Sequence, residues 1–227
     1  MLTVWFIRHG ESESNAGLPT ADSASTPLTP KGVEQAERLA TVFQEPPTLL
    51  VVSPYLRSQA TAAPITRRFP DVPQAVWPVQ EFTYLARPPG QPTTPQQRRP
   101  RVEAFWHRCD PYYRDGGWAE SFADLMERLQ QVLVLVREQG SGFIAVVSHG
   151  LFMRALYWAL LTNSFEVSPE RMQRFYHLRA SFAVPNTAIM KLILQGEEVW
   201  MSPMLTAHLI SHEVADQTRD VADQQEE

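Results

Sequence analysis

The sequence predicts an α/β fold: a three-layer α/β/α arrangement around a mostly parallel central sheet. Three observations predict it. Short apolar runs read as buried strands, "VWFI" at 4–7, "TLLVV" at 48–52 and "FIAVV" at 143–147. Stretches with helical periodicity alternate with them. Each run also ends abruptly in polar residues: Arg8-His9-Gly10, then Ser53-Pro54 with Arg57 one turn on, then Ser148-His149-Gly150. Strands without polar alternation, interleaved with helices, belong to a parallel sheet covered on both faces.

The elements follow in order. After the first strand, Thr29-Pro30 opens a helix, with Thr29 as N-cap and Pro30 at the first helical position. Val33, Ala36, Leu39, Ala40 and Phe43 then share one face. After the second strand, Ser53-Pro54 repeats the cap-plus-proline signal and predicts a helix running to about Arg68. In "ESFADLMERLQQVLVLV" at 120–136, Ser121 and Asp124 have capping-box spacing. Phe122, Leu125, Met126, Leu129, Leu133 and Val136 form the apolar face of that helix. A further helix is expected from Gly150. "AIMKLIL" and "VWMSPML" flank Gly196 and are expected to pair as a hairpin.

Residues 82–117 are rich in Pro, Arg, Gln and aromatics, with weak periodicity. They read as an insertion over the active-site end of the sheet, inside a single domain spanning 1–212, and are expected to set substrate specificity. Residues 213–227 read as an acidic, disordered tail.

Composition bounds the function. Of 227 residues, 44% are hydrophobic and 20% charged, the ordinary balance of a soluble globular protein. A net charge of -5 gives no general attraction to nucleic acid or to an anionic membrane. No apolar run approaches the roughly 20 residues of a membrane span. The N-terminus shows no basic region or cleavage site of a leader. The single cysteine, Cys109, cannot build a disulfide framework. A cytoplasmic location is expected, as a monomer or homodimer. His208 and His212 have the spacing of a helical metal pair, with Glu213 adjacent, but no third ligand accompanies them. No metal and no cofactor are expected.

The three strand ends carry the chemistry. In an open parallel sheet, ligands bind beyond the carboxyl ends of the strands. Helices that start there aim free N–H groups and partial positive charge at the same place. His9, His149, Arg8 and Arg57 should therefore meet near two helix N-termini. Their complement is a dianionic phosphate, which the guanidinium fork matches oxygen by oxygen. A glycine after each histidine allows close backbone approach or an unusual φ.

These residues resemble the histidine phosphatase superfamily, also called the phosphoglycerate mutase-like family. "RHGES" with Asn15 matches its N-terminal signature, and "SPYLRSQATA" its second motif. "ESFADLMER" and "VVSHG" match the helix and strand around its second histidine, and "PNTAIMKL" at 185–192 its closing strand. The resemblance spans about residues 3–194. It implies that His9 is a nucleophile, transiently phosphorylated. Arg8, Arg57 and His149 would complete the phosphate pocket, with Asn15 and Gly150 as further contacts.

Cleavage of a phosphate ester also needs a proton donor. By the same resemblance Glu81, in "VWPVQEFTYL", stands where the family's acid sits, although Leu85 replaces a usual glycine shortly after it. Glu11, Glu13 and Glu120 are its competitors, and Glu120 also suits a helix N-terminus. "RRPR" at 98–101 reads either as a solvated stretch or as a cation for a second acidic group on the substrate. Trp106, Tyr112, Tyr113 and Trp118 read as a mini-core of the insertion or as a pocket wall. The resulting expectation is a metal-independent phosphomonoesterase acting on a small phosphorylated metabolite. Phosphoglycerate mutase-type transfer, a phosphoprotein phosphatase and a non-catalytic phosphate-binding scaffold are the alternatives. Against a mutase, "FTYLARPPG" stands where the resemblance implies a longer Arg-His-Tyr-Gly-like motif.

Overall fold

Side chains alternate across a strand, so an apolar run with no polar members must be covered on both faces. The first run forms β1, Leu2–Arg8, and does this. Leu2, Val4 and Phe6 enter one apolar cluster, while Ile7 enters another that Trp5 packs against. A computed structural model describes residues 1–86 and 90–209. In it β2 is Leu49–Val52, β3 is Gln74–Val76 and β4 is Gly142–Ser148. The hairpin strands are β5, Ile189–Gln195, and β6, Glu198–Met201. The six strands form one sheet in the order β3-β2-β4-β1-β5-β6. β3, β2, β4 and β1 run parallel; β5 is antiparallel to β1 and to β6.

Helices cover both faces. α1, Pro30–Thr41, and α2, Leu56–Arg68, supply Leu39, Ala40, Ala62 and Ile65 to the cluster that holds Ile7, Leu50 and Val147. The opposite cluster holds Phe6, Val51 and Val146. It is closed by α3, Pro95–Arg108, α4, Phe122–Glu138, α5, Gly150–Leu161, and α6, Pro169–Ser181. A 3-10 turn, Ala207–Leu209, follows the hairpin.

The caps form as their chemistry predicts in α1 and α4. The Thr29 hydroxyl accepts from the Gly32 N–H with Pro30 in the first turn, and Ser121 and Asp124 make a reciprocal capping box. Two details differ. α2 starts at Leu56 rather than at Pro54, and its N-cap, Tyr55, makes no side-chain cap bond. Ser53 has another use, described below. In α1, Val33 is 49% exposed and Gly32 takes the buried position.

Three elements lie outside the expectation. β3 is a three-residue edge strand with no fully buried side chain. α3 runs through the insertion, capped by Thr94 and Gln97, yet buries only Phe105 and Trp106. α6 carries a Ser168-Pro169 start and buries only Met172 and Phe175. Of the insertion's aromatics, Trp106 is buried in the mini-core, Tyr113 packs at its side, and Tyr112 and Trp118 are exposed. Residues 213–227, expected as a tail, lie outside the described residues.

Candidate active site

Parallel register sets the site. β1 and β4 pair with Arg8 opposite Ser148, so the next residues, His9 and His149, leave the sheet side by side. Their rings stand 5.0 Å apart, centroid to centroid. β2 ends at the same edge. It delivers Ser53, whose Oγ lies 2.6 Å from His149 Nε2, and the first turn of α2 delivers Arg57.

His9 is held from every side. Its N–H donates to Ser148 O, and its carbonyl accepts from Asn186 Nδ2 at 3.0 Å. Thr187, at φ 57, lies in the left-handed region that a β-branched residue rarely occupies; its N–H donates to Arg8 O. The His9 ring has one tautomer that satisfies both nitrogens. Nδ1 is 2.6 Å from Gly10 O and must carry the proton, while Nε2 accepts from Arg57 Nε–H at 3.1 Å. Burial first, then the charges of Arg57 and Arg8, hold this imidazole well below the ordinary histidine range.

His149 is fully buried, and burial, then Arg57, push it the same way. Ser53 Oγ already accepts from Tyr55 N–H. Its own proton therefore suits His149 Nε2, which leaves the imidazole proton on Nδ1, an atom with no partner.

Arg57 is 6% exposed, donates to Ser23 O at 2.5 Å and lies over the Tyr55 ring. Arg8 donates to Val184 O at 2.6 Å, and its buried Nε has no hydrogen-bond partner. Burial lowers its pKa to about 10 against the opposing charge of Glu81. The glycines serve close approach and not an unusual φ. A Cβ on Gly10 would sit 2.5 Å from Gly32 O, and one on Gly150 would sit 3.3 Å from Arg8 Nε.

Glu81 reaches the start of α5. Its Oε1 accepts from Leu151 N–H at 2.9 Å, Phe152 N–H at 3.3 Å and Phe82 N–H at 3.1 Å.

A cleft of about 250 Å³ opens over these groups, and His9, Asn15, Arg57, Glu81, Thr83 and Arg98 line it. Asn15 Oδ1 is taken by Ser12 and Asn186, so its Nδ2 is the group left for a ligand. Arg8, His149 and Gly150 adjoin these residues without lining the cleft.

Glu81's competitors have other partners. Glu11 binds Thr29 and Lys31, and Glu13 does not line the cleft. Glu120 is not a free helix-end carboxylate: Arg128 engages both its oxygens at 2.8 Å. In "RRPR" the readings divide by residue. Arg98 lines the cleft and donates to Thr93 and Ser14, whereas Arg99 pairs with Glu103 and Arg101 with Asp115.

Ser53, which the sequence presents as a helix cap, supports the site, as do Thr61, Ser23 and Asn186, for which the sequence suggests no role of their own. Thr61 Oγ1 accepts from Gly10 N–H. "SP" and "PN" are visible in the sequence, but the partners of these four residues lie 34 to 177 residues away, beyond any local signal. His208 Nε2–H donates to Thr187 O at 3.0 Å, and His212 and Glu213 lie outside the described residues. Among the described residues no three His, Cys, Asp or Glu side chains are grouped to hold a metal ion, and no helix is long and apolar enough to cross a membrane.

Buried neutral histidines have a stability consequence. Both imidazoles would bind a proton in the unfolded chain below about pH 6.5 but resist it in the fold. With folded pKa values depressed, stability is intact above pH 6.5 and falls as pH drops below it, by up to about 1.4 kcal/mol per pH unit per histidine. Thermal melts from pH 7.5 to 5 should show a falling midpoint that is shallower in His149→Asn. A flat midpoint would show that the histidines charge in place.

Paired, buried imidazoles flanked by guanidiniums at the carboxyl edge of a parallel sheet define an α/β protein with a two-histidine site. The chain belongs to the histidine phosphatase superfamily (branch 1), whose family model matches residues 4–202. The adenosylcobalamin/α-ribazole phosphatase of Salmonella typhimurium is 35% identical over 84 residues, 37% of this chain and 42% of that protein. A phosphoserine phosphatase mutant from Entamoeba histolytica, crystallised with phosphoserine, superposes with a TM-score of 0.71 at 22% identity, covering 92% of this chain and 100% of the other. A putative α-ribazole-5'-P phosphatase from Escherichia coli gives 0.67 at 24%, covering 90% and 96%. At these identities the structures establish a shared fold.

Proposed function

We propose that the protein is a phosphomonoesterase that hydrolyses a small phosphorylated metabolite, without a metal, through a phosphohistidine on His9. One observation carries the reading: Nδ1–H of His9 is tied to Gly10 O, so Nε2 carries the lone pair, which accepts from Arg57 Nε–H in this structure and is released to phosphorus when that guanidinium turns to the phosphate. The Nε2 lone pair attacks phosphorus in line, the N–P bond forms and the ester P–O bond breaks. Glu81, in its protonated form, gives its proton to the leaving oxygen. Its carboxylate then takes a proton from water, the water oxygen bonds phosphorus, and the N–P bond breaks to release phosphate. Arg57, Arg8, Asn15 Nδ2 and the His149 Nδ1–H supply positive charge and donors to the phosphoryl oxygens.

Relatives named α-ribazole phosphatase and phosphoserine phosphatase support a small-metabolite ester. The intact His9, Arg8, Arg57 and His149 oppose a non-catalytic scaffold, and "FTYLARPPG" opposes a mutase. The test is phosphate release from a generic aryl phosphate with and without EDTA. Turnover that survives chelation supports the reading; no turnover, or its loss in EDTA, defeats it.

Glu81→Gln separates the acid from the rest. General acid–base catalysis is worth about 10²–10⁴-fold. The loss should approach that range on an alkyl phosphate and be several-fold smaller on p-nitrophenyl phosphate, whose leaving oxygen needs little proton donation. Equal losses on both substrates would remove Glu81 from the acid role.

A further inference from the structure

We propose that the site extends into a neighbouring cleft that takes a flat aromatic ring on the leaving group, stacked on Trp118; this rests on the phosphomonoesterase reading above. A second cleft, about 510 Å³, adjoins the first, and the two share Ser23, Thr83 and Leu85. Thr83 stands at the divide. Its Oγ1 is 2.8 Å from the hydroxyl of Tyr55, whose ring backs the second cleft and also packs edge-on to His149 at 5.3 Å. A phosphate at His9 therefore sends its leaving group over Thr83 toward Trp118.

The lining chooses the ligand chemistry. Ala21, Leu85, Ala86 and Trp118 are apolar, and Tyr55 adds a second ring. Asp22 is the charged residue among the described lining residues, and its carboxylate caps the N–H groups of Ala24 and Ser25. Among the described lining residues none is cationic. Trp118 is the decisive feature. It lines the cleft, yet its side chain is 93% exposed. An indole with that much uncovered face gains from a stacked ring, and the gain tolerates many ring chemistries. An unsaturated ring joined to the phosphate by a sugar-sized linker fits this layout, as in a nucleoside monophosphate. Arg98, by contrast, lies in the first cleft and would serve an acidic leaving group instead.

Adenosine 5'-monophosphate and ribose 5-phosphate share the phosphate and the linker and differ in the ring. The wild-type ratio of kcat/KM should favour the ring-bearing ester by roughly 5- to 150-fold, the span of base–aromatic stacking. Trp118→Ala should collapse that ratio toward one, and Trp118→Phe should restore part of it. Trp118 is too exposed for its truncation to unfold the chain. The inference is overturned if wild type prefers neither ester or hydrolyses neither. It is also overturned if Trp118→Ala lowers both equally, or if phosphoserine is preferred through Arg98. A p-nitrophenyl phosphate control, lost in His9→Ala, shows in each case whether the underlying reading still stands.

Discussion

His9→Ala is expected to lower kcat/KM on an aryl phosphate by about 10⁴-fold or more, the scale on which enzymes lose a covalent nucleophile. The size follows from what the ring does. Monoester hydrolysis is so slow without catalysis that the site must supply on the order of 20 kcal/mol. Positioning and charge provide part of this, and they survive in the variant through Arg57 and Arg8. The covalent route does not survive. Neither neighbour can replace it: His149 is fully buried with Nε2 engaged by Ser53, and Glu81 is committed to the N–H groups of α5. The side chain itself costs little to remove from the fold, because the bonds that fix this position run through the His9 backbone N–H and C=O. The melting midpoint should therefore stay within a few degrees of wild type. Rapid quench of the wild type in alkali should trap a phosphoryl group that is stable to base and labile to acid, as a phosphoramidate is, and His9→Ala should trap none. An acid-stable adduct, or a variant within tenfold of wild type, would refute nucleophilic catalysis by His9.

The depressed pKa of His9 bears on the pH profile of that reaction. Its imidazole is neutral in the fold well below pH 6.5, so protonation of the nucleophile does not impose an acid limb near the ordinary histidine value. An acid limb at 6.5 that disappears in no other variant would show that His9 is more solvated than its burial indicates.

The strand ends are legible in the sequence because their signal is local. An apolar run that stops at Arg8-His9-Gly10 or Ser148-His149-Gly150 needs no tertiary information to be noticed, and parallel pairing then brings the stops together. The caps of α1 and α4 are local for the same reason. α3 is not legible because only two of its 14 side chains are buried and Pro100, a residue that argues against a helix interior, lies inside it, so its apolar period has almost nothing to repeat. α6 buries two of 13 and was marked only by its Ser-Pro start. β3 pairs at the sheet edge with an exposed-intermediate-exposed pattern that no alternation rule separates from a loop. Within the site, Arg98, Arg99 and Arg101 look alike in "RRPR", and only the fold turns the first toward the cleft. Ser53 looks like a helix cap because Ser-Pro usually is one, yet its hydroxyl bonds His149, 96 residues along the chain.

The position of Glu81 depends on a contact no local pattern announces, and breaking it is expected to have the largest effect on stability. Arg128, on α4, is 7% exposed and uses its whole guanidinium. Nε and Nη2 grip Glu120, each at 2.8 Å, and Nη1 donates to Pro78 O at 3.0 Å and Gln80 O at 2.9 Å. The same Glu120 carboxylate accepts from Thr83 N–H at 3.0 Å. The loop that carries Glu81 is thus tied down at 78, 80 and 83. Arg128→Met keeps much of the side-chain volume but leaves two carbonyls and a largely buried carboxylate without their partner. Breaking a buried pair costs about 3–5 kcal/mol, and the part exposure of Glu120 brings the expectation to about 2–4 kcal/mol. For a chain of this length that is a fall in Tm of roughly 4–15 °C. Arg128→Lys should recover the charge but not the fork, and so restore only a minor part. The functional signature is separate from the stability loss. If Arg128 acts by holding Glu81, kcat on an alkyl phosphate should fall well below wild type at a temperature where the variant is folded. The further loss on adding Glu81→Gln should then be much smaller than in wild type. Fully additive losses in that double-mutant cycle would mean that Arg128 stabilises the fold without placing the acid.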